Sequence, residues 1–156
     1  MMHLDGFDRK IIAQLQVDGK LSNYDLAEKV GLSASQCSRR RMRLEEDGVI
    51  AGYHAHIDRE KAGFGLTSII AITLAAHREA PVQHLNALLS RLPSIQDVYQ
   101  VTGDMDYYVK VVTEDLNALT ELINSELMPH EAVQNVRTAI VLKSLKESSE
   151  LPIQSN

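Results

Sequence analysis

Apolar side chains in the first 50 residues recur at intervals of three and four, the spacing of one helix face. Leu4, Phe7, Ile11, Ile12 and Leu15 make the first such stripe, and Gly19 closes it. Ser22 then offers an N-cap, with Asp25 as an imperfect capping-box partner and Leu21 and Leu26 at the staple positions. Leu26, Ala27 and Val30 form the buried stripe of this second helix, which Gly31 ends. Ser33 caps a third helix, with Gln36 as its partner and Leu32 and Cys37 as a second staple. That helix is expected over 33–47, ending at Gly48, a residue suited to a left-handed cap. Only Gly31, Leu32 and the cap separate helices two and three, which is the signature of a helix-turn-helix. Val49–Ile57 reads as a strand leaving the domain, and Asp58–Gly65, with two glycines, as a hinge.

From Leu66 the pattern changes to strand, helix, strand, and then repeats. Strands are expected at Ser68–Ala75, Val98–Val101, Tyr107–Val112 and Arg137–Leu145. Amphipathic helices are expected at Pro81–Leu92, with Pro81 at its first position, and at Asp115–Leu127. The halves echo each other: Leu92-Pro93 precedes Ile95-Gln96-Asp97-Val98, and Met128-Pro129 precedes Val133-Gln134-Asn135-Val136. A βαββαβ order with this echo is the split βαβ, ferredoxin-like arrangement, so the chain is classed as α+β. Apolar residues line both sides of these strands, so the sheet face without helices needs a partner, met most simply by a sheet-to-sheet homodimer. The expected organisation is 1–50 helix-turn-helix, 51–65 linker strand and hinge, 66–147 βαββαβ domain, and 148–156 a mobile tail.

Composition changes this picture little; the distribution of charge changes it more. Apolar residues make up 44% of the 156, enough for a core, and no apolar run is long enough to cross a bilayer. The start, Met1-Met2-His3-Leu4-Asp5, lacks the basic and then apolar stretches of a signal peptide. A lone cysteine, Cys37, allows neither an internal disulfide nor a cysteine-based zinc site. A cytoplasmic protein is therefore expected. The net charge of −5 argues superficially against nucleic acid. Yet Arg39, Arg40, Arg41 and Arg43 fall within five positions that hold no acid, a local positive patch inside the third helix.

In a helix-turn-helix the N-terminal side chains of the second motif helix reach base edges. The candidates for contact with double-stranded DNA are Ser33, Ser35, Gln36, Ser38, Arg39 and Arg40, with Arg43 toward the backbone. Gln can pair with adenine and Arg with guanine, while Ser and Arg also hold phosphates. The plainer alternative is a three-helix bundle used for protein contacts. Cys37 reads as a small core residue. Arg41 sits awkwardly between core positions Cys37 and Leu44; either it snorkels, or Met42 takes over the packing. Gly103-Asp104-Met105-Asp106 is the second candidate: backbone amides freed by Gly, plus two carboxylates, suit a ligand with an ammonium and a carboxylate, though a solvated hairpin turn explains it too. His54 and His56 could chelate, but no Cys or acid stands at ligand spacing, and no metal or cofactor is expected.

Several of these motifs occur together in one known family. Leu32-Ser33-x-Ser35, Arg39-Arg40, Leu44-Glu45-x-x-Gly48-Val49-Ile50, Gly52-Tyr53 and Gly103-Asp104-x-Asp106-Tyr107 resemble the leucine-responsive regulatory protein/AsnC (feast/famine) transcription regulators over about 4–147. The resemblance implies a winged helix-turn-helix, a hinge strand and a ligand-sensing βαββαβ domain. It implies dimers assembling further, often to octamers, and control by small effectors, typically amino acids. It also turns the Gly103–Asp106 turn into an effector site, with Tyr99, Thr102 and Thr138 as further candidates beside Gly103, Asp104 and Asp106. Arg41 departs from the aliphatic residue usual in the family. Siroheme decarboxylases share the architecture and supply the rival reading as an enzyme, against which the arginine-rich helix speaks.

Overall fold

A computed structural model describes residues 3–148 and 150–153. Two compact units separate: the residues up to His56 together with those from Lys146 onward, and Ile57–Leu145.

The first unit holds helices α1 (Gly6–Val17), α2 (Asn23–Val30) and α3 (Ala34–Glu46). Each begins with a complete capping box, formed by Asp5 and Asp8, Ser22 and Asp25, and Ser33 and Gln36. Two otherwise orphaned amides are satisfied reciprocally at every start. Gly31 (φ 74°) and Gly48 (φ 72°) follow α2 and α3 in the left-handed region that glycine adopts without strain. Ile11, Ile12, Leu15, Leu26, Val30, Cys37 and Leu44 close one core, with Ile50 packed at its margin. Asp8 is buried with them, 1% exposed. Its carboxylate accepts from Arg40 Nη1 at 2.7 Å, from Arg43 Nη2 at 2.6 Å and from the Asp5 amide at 3.2 Å.

Three expectations for this unit differ from the structure. Val49–Ile57 forms no ladder, because no second strand among the described residues pairs with it. The box of Asp5 and Asp8 starts α1, whose sequence signal is otherwise the apolar stripe alone. The expected mobile tail is docked: Gln16 exchanges both side-chain amide bonds with the backbone of Leu151 (3.1 and 2.6 Å), and Ile153 packs against the helical core. The last three positions of that tail and Ser149 lie outside the described residues.

The second unit runs β1 (Leu66–Leu74), α4 (Glu79–Arg91), β2 (Ile95–Gln100), β3 (Tyr107–Thr113), α5 (Leu116–Glu121) and β4 (Val133–Ile140). Helix α5 continues as a π-helical stretch, Leu122–Leu127. The sheet order is β2-β3-β1-β4 with all neighbours antiparallel, so the expected α+β, split βαβ architecture is present. Ile70, Ile72 and Leu74 of β1 and Tyr107, Val109 and Val111 of β3 pack with Leu85, Leu89, Leu119 and Leu127 of the helices. The alternate residues Ile69, Ala71, Tyr108, Lys110 and Val112 occupy the other face, where Tyr99 pairs with Tyr108. Pro81 stands at the third position of α4 rather than the first, still within the turn whose amides have no helical partner. β4 starts and ends earlier than expected, because Ile140 already pairs with Ser68 and β1 begins only two residues before it.

Removing one partner of a buried ion pair strands the other charge. Asp8→Ala is expected to destabilise the helical unit by about 3 kcal/mol, the low end for such pairs because Arg40 and Arg43 keep some access to water. Arg43→Ala should cost below about 1 kcal/mol, as for a half-exposed pair. Urea unfolding of the variants measures both.

A second expectation concerns acid. The Asp8 amide, and then Arg40, hold the Asp5 carboxyl below its usual value. A carboxyl depressed on folding contributes fully at neutral pH, and that contribution is lost as pH falls through the folded pKa. The urea midpoint should stay flat between about pH 7 and pH 5 and fall below about pH 4. Asp5→Asn should reduce that acid loss.

Candidate DNA-reading helix and ligand turn

The four arginines of α3 do not share a face. Successive residues turn by about 100°, so a run of them fans around the axis. Arg40, only 22% exposed in its side chain, points toward α1 and bonds Asp5 and Asp8, both at 2.7 Å, with its guanidinium 5.6 Å from the Phe7 ring. These carboxylates raise its pKa further. Arg43 shares Asp8 but remains half-exposed. Arg41 snorkels to the opposite margin of the core, donating to Leu21 O, Glu45 and Tyr53, while Met42 stays exposed and fills no core position. Only Arg39 of the four is exposed without an ion pair among the described residues.

The outward stripe of α3 is Ser35, Arg39, Met42 and Glu46, flanked by Gln36 and Arg43. Ser33 is committed to the cap: its amide and hydroxyl both donate to Gln36 Oε1, at 3.0 Å each. Its hydroxyl also lies 3.2 Å from that of Ser35. Gln36 keeps its amide Nε2 as a donor beyond this box. Ser38 is half-buried. The structure therefore groups Ser35, Gln36 and Arg39 at the exposed start of α3. Arg40 is withdrawn from that group by Asp8, a correction to its expected role as a reader. Cys37 is fully buried, which pushes its thiol pKa up.

In the second unit, Gly103 has φ 116°, a conformation that L side chains rarely adopt. The turn it begins crosses to β1, where Thr73 Oγ1 donates to Met105 Sδ at 3.4 Å. A cavity of about 550 Å³ opens beside it, lined by Thr73, Asp104, Met105, Gln134, Asn135 and Arg137. One acidic and one basic side chain thus line the same cavity.

Of the expected effector residues, Asp104 alone lines that cavity. Asp106 is turned away: its Oδ2 accepts from the Leu74 amide at 2.7 Å, capping the end of β1. Thr138 pairs with Ile70 and lies on the helix-covered side, opposite Asn135 and Arg137. Tyr99 lies on the open sheet face, and Thr102 is exposed before Gly103. Thr73, Gln134, Asn135 and Arg137 line the cavity without having been among the residues expected from the sequence. Two signals were available: the Val133–Val136 echo, and Arg137 as the sole lysine or arginine between Lys110 and Lys143. Among the described residues no three His, Cys, Asp or Glu gather to hold a metal, and no helix is long and apolar enough to cross a membrane.

Residues 4–51 match the winged helix-turn-helix DNA-binding family, and residues 67–151 match the Lrp/AsnC ligand binding domain. The leucine-responsive regulatory protein of Rhizobium meliloti is 33% identical over 152 residues, covering 97% of each chain. That of Escherichia coli is 36% identical over 154 residues, covering 97% of this chain and 93% of the other. Among solved structures, a transcriptional regulator from Neisseria meningitidis in complex with L-methionine superposes with a TM-score of 0.93 at 31% identity, over 96% of this chain and 97% of that one. An AsnC family regulator from Agrobacterium tumefaciens gives 0.90 at 34%, over 95% and 96%. Each of these relatives is named as a regulator, and none supports the decarboxylase reading. With both halves matched in order along nearly its whole length, the chain belongs to the Lrp/AsnC family of DNA-binding transcriptional regulators.

Proposed function

We propose that the chain reads duplex DNA with the exposed start of α3 and that a free α-amino acid, bound at the Gly103 turn, modulates that binding. Residues 1–50 serve as the DNA-binding domain, 51–65 as linker and hinge, and 66–147 as the effector and assembly domain. Ser35, Gln36 and Arg39 are the readers. Ser33, Ser38 and Arg43 stand at the margins toward the phosphates, and Arg40 acts from within the fold. What supports this is the outward placement of Arg39 beside Gln36 at a helix N-terminus, where base edges and phosphates are met in this motif.

The effector reading rests on the opposite charges of the cavity. Asp104 suits the ammonium of an α-amino acid, Arg137 suits the carboxylate, and Gln134 and Asn135 supply neutral hydrogen bonds. The L-methionine held by the Neisseria regulator makes an amino acid the first class to try. The chain works in the cytoplasm as a homodimer joined through the open sheet face, where exposed Tyr99 and Tyr108 supply aromatic contact area. Dimers assemble further, up to octamers, and effector and DNA affinities are reciprocally coupled.

Two measurements test the reading. On a duplex selected by the wild type from a random pool, Arg39→Ala should weaken binding by about 1–3 kcal/mol and relax specificity at one base position. Binding unchanged in that variant would overturn the reader assignment. In titration calorimetry with L-methionine, Arg137→Ala and Asp104→Asn should each weaken binding by about 1.5–3 kcal/mol, the worth of a charge-assisted bond. Wild-type binding left intact by both would exclude this cavity, and no response to any amino acid would exclude the effector class.

A further inference from the structure

We infer that Arg41, Glu45 and Tyr53 form a clamp that locks the linker leaving the DNA-binding unit onto the recognition helix, so that the two move as one. The inference rests on the DNA-reading role proposed above for α3.

Tyr53 lies seven residues beyond the end of α3, in a stretch with neither helix nor ladder. Backbone bonding alone therefore does not hold it, yet its side chain is gripped from three sides. The Arg41 guanidinium stands 4.7 Å from the ring centroid. Arg41 Nε donates to the Tyr53 hydroxyl oxygen at 2.9 Å and to Glu45 Oε1 at 3.1 Å, and the hydroxyl donates to Glu45 Oε1 at 2.8 Å. The remaining reach of Arg41 goes to Leu21 O, at 3.0 Å, in the turn between α1 and α2. On that turn Gly19 faces the ring, and a Cβ there would come within 3.0 Å of Tyr53 Cδ1. The α1–α2 turn, the recognition helix and the linker thus converge on a single guanidinium.

Simple packing would not need this chemistry, since an aliphatic side chain at position 41 could fill the same margin of the core. A planar guanidinium does more: it stacks on the ring while its edge donates in several fixed directions. The bond from Tyr53 holds the Glu45 carboxyl below its usual pKa, and burial pushes the Tyr53 phenol up. Both groups therefore keep the protonation the clamp requires at neutral pH. Arg41 is a positioning residue. It touches no base, but it ties the direction in which the chain leaves to the helix that reads.

Spacing discrimination on DNA tests this in the full-length protein. The duplex is that selected by the wild type, and its half-sites are then moved apart by about five base pairs, half a helical turn. The wild type should lose about 30-fold in affinity, because a fixed geometry forbids simultaneous engagement. Arg41→Leu and Tyr53→Phe should lose less than about fivefold while binding the original duplex within about threefold of wild type. Arg41→Lys, which restores a cation over the ring, should fall between. Chymotryptic cleavage after position 53, located by mass spectrometry, should quicken about tenfold in Arg41→Leu, because clamped linkers open rarely. Arg41→Leu with wild-type discrimination and wild-type cleavage would overturn the clamp. A wild type that ignores spacing would instead remove the paired DNA reading, and cleavage would then decide the clamp by itself: unchanged cleavage overturns it.

Discussion

A carboxylate buried from water needs hydrogen-bonded cations to offset its lost hydration, and Asp8 takes both of its cations from α3. That single requirement sets how α3 is rolled about its axis. With Arg40 drawn to α1 and Arg43 beside it, Cys37 and Leu44 turn into the core. Arg41 emerges on the far margin of that core, and Ser35, Arg39 and Met42 face outward. The capping boxes fix where each helix begins, and the ion pairs with Asp8 help fix which side of α3 faces outward. The same Asp5 and Asp8 that cap α1 therefore act on a helix some 30 positions later.

The helix-turn-helix was legible because its signals are local: serine caps, left-handed glycines and an apolar stripe lie within a few residues of one another. The roles of the arginines were not. A run in sequence looks like one patch, whereas a helix distributes neighbours by about 100° each. Whether an arginine then meets water or a buried acid depends on a residue three dozen positions away. Arg41 shows the same limit. Its place at the edge of the core could be read from its spacing to Cys37 and Leu44, but its partners come from the linker and from another turn.

In the sheet the limit takes a different form. Side chains alternate in a strand, so a choice one residue off lands on the wrong face. Thr138 and Arg137 are neighbours in the chain, yet one faces the helices and the other lines the cavity. The turn at Gly103 was visible through its glycine and acids, but its reach across β1 toward β4 is a property of strand order. Asp104 and Asp106 look equivalent in sequence. Only the amide of Leu74, which claims Asp106, separates the acid that finishes a strand from the acid that lines the cavity. The tail escaped for a similar reason, since polar residues and a proline suggest freedom while one glutamine amide suffices to pair with its backbone.

These assignments bear on how an acidic chain can hold DNA at all. Of the four clustered arginines, one is withdrawn to Asp8, one to the linker, and one is shared between Asp8 and water. Within that cluster little positive charge remains for phosphate contacts, and against a net charge of −5 the exposed Arg9, Lys20 and Lys29 of the same unit have to supplement it. In the proposed reading, one copy of α3 is thus better equipped to discriminate bases than to bind tightly. In the proposed dimer affinity would come from joining copies, because a second helix held at the right distance engages at an effective concentration set by its tether. In that arrangement the placement of the copies counts for as much as the contacts of either one. Weak single contacts make binding depend on geometry, and a protein whose grip depends on geometry is one that a ligand can regulate by changing assembly, without ever touching the DNA-reading surface.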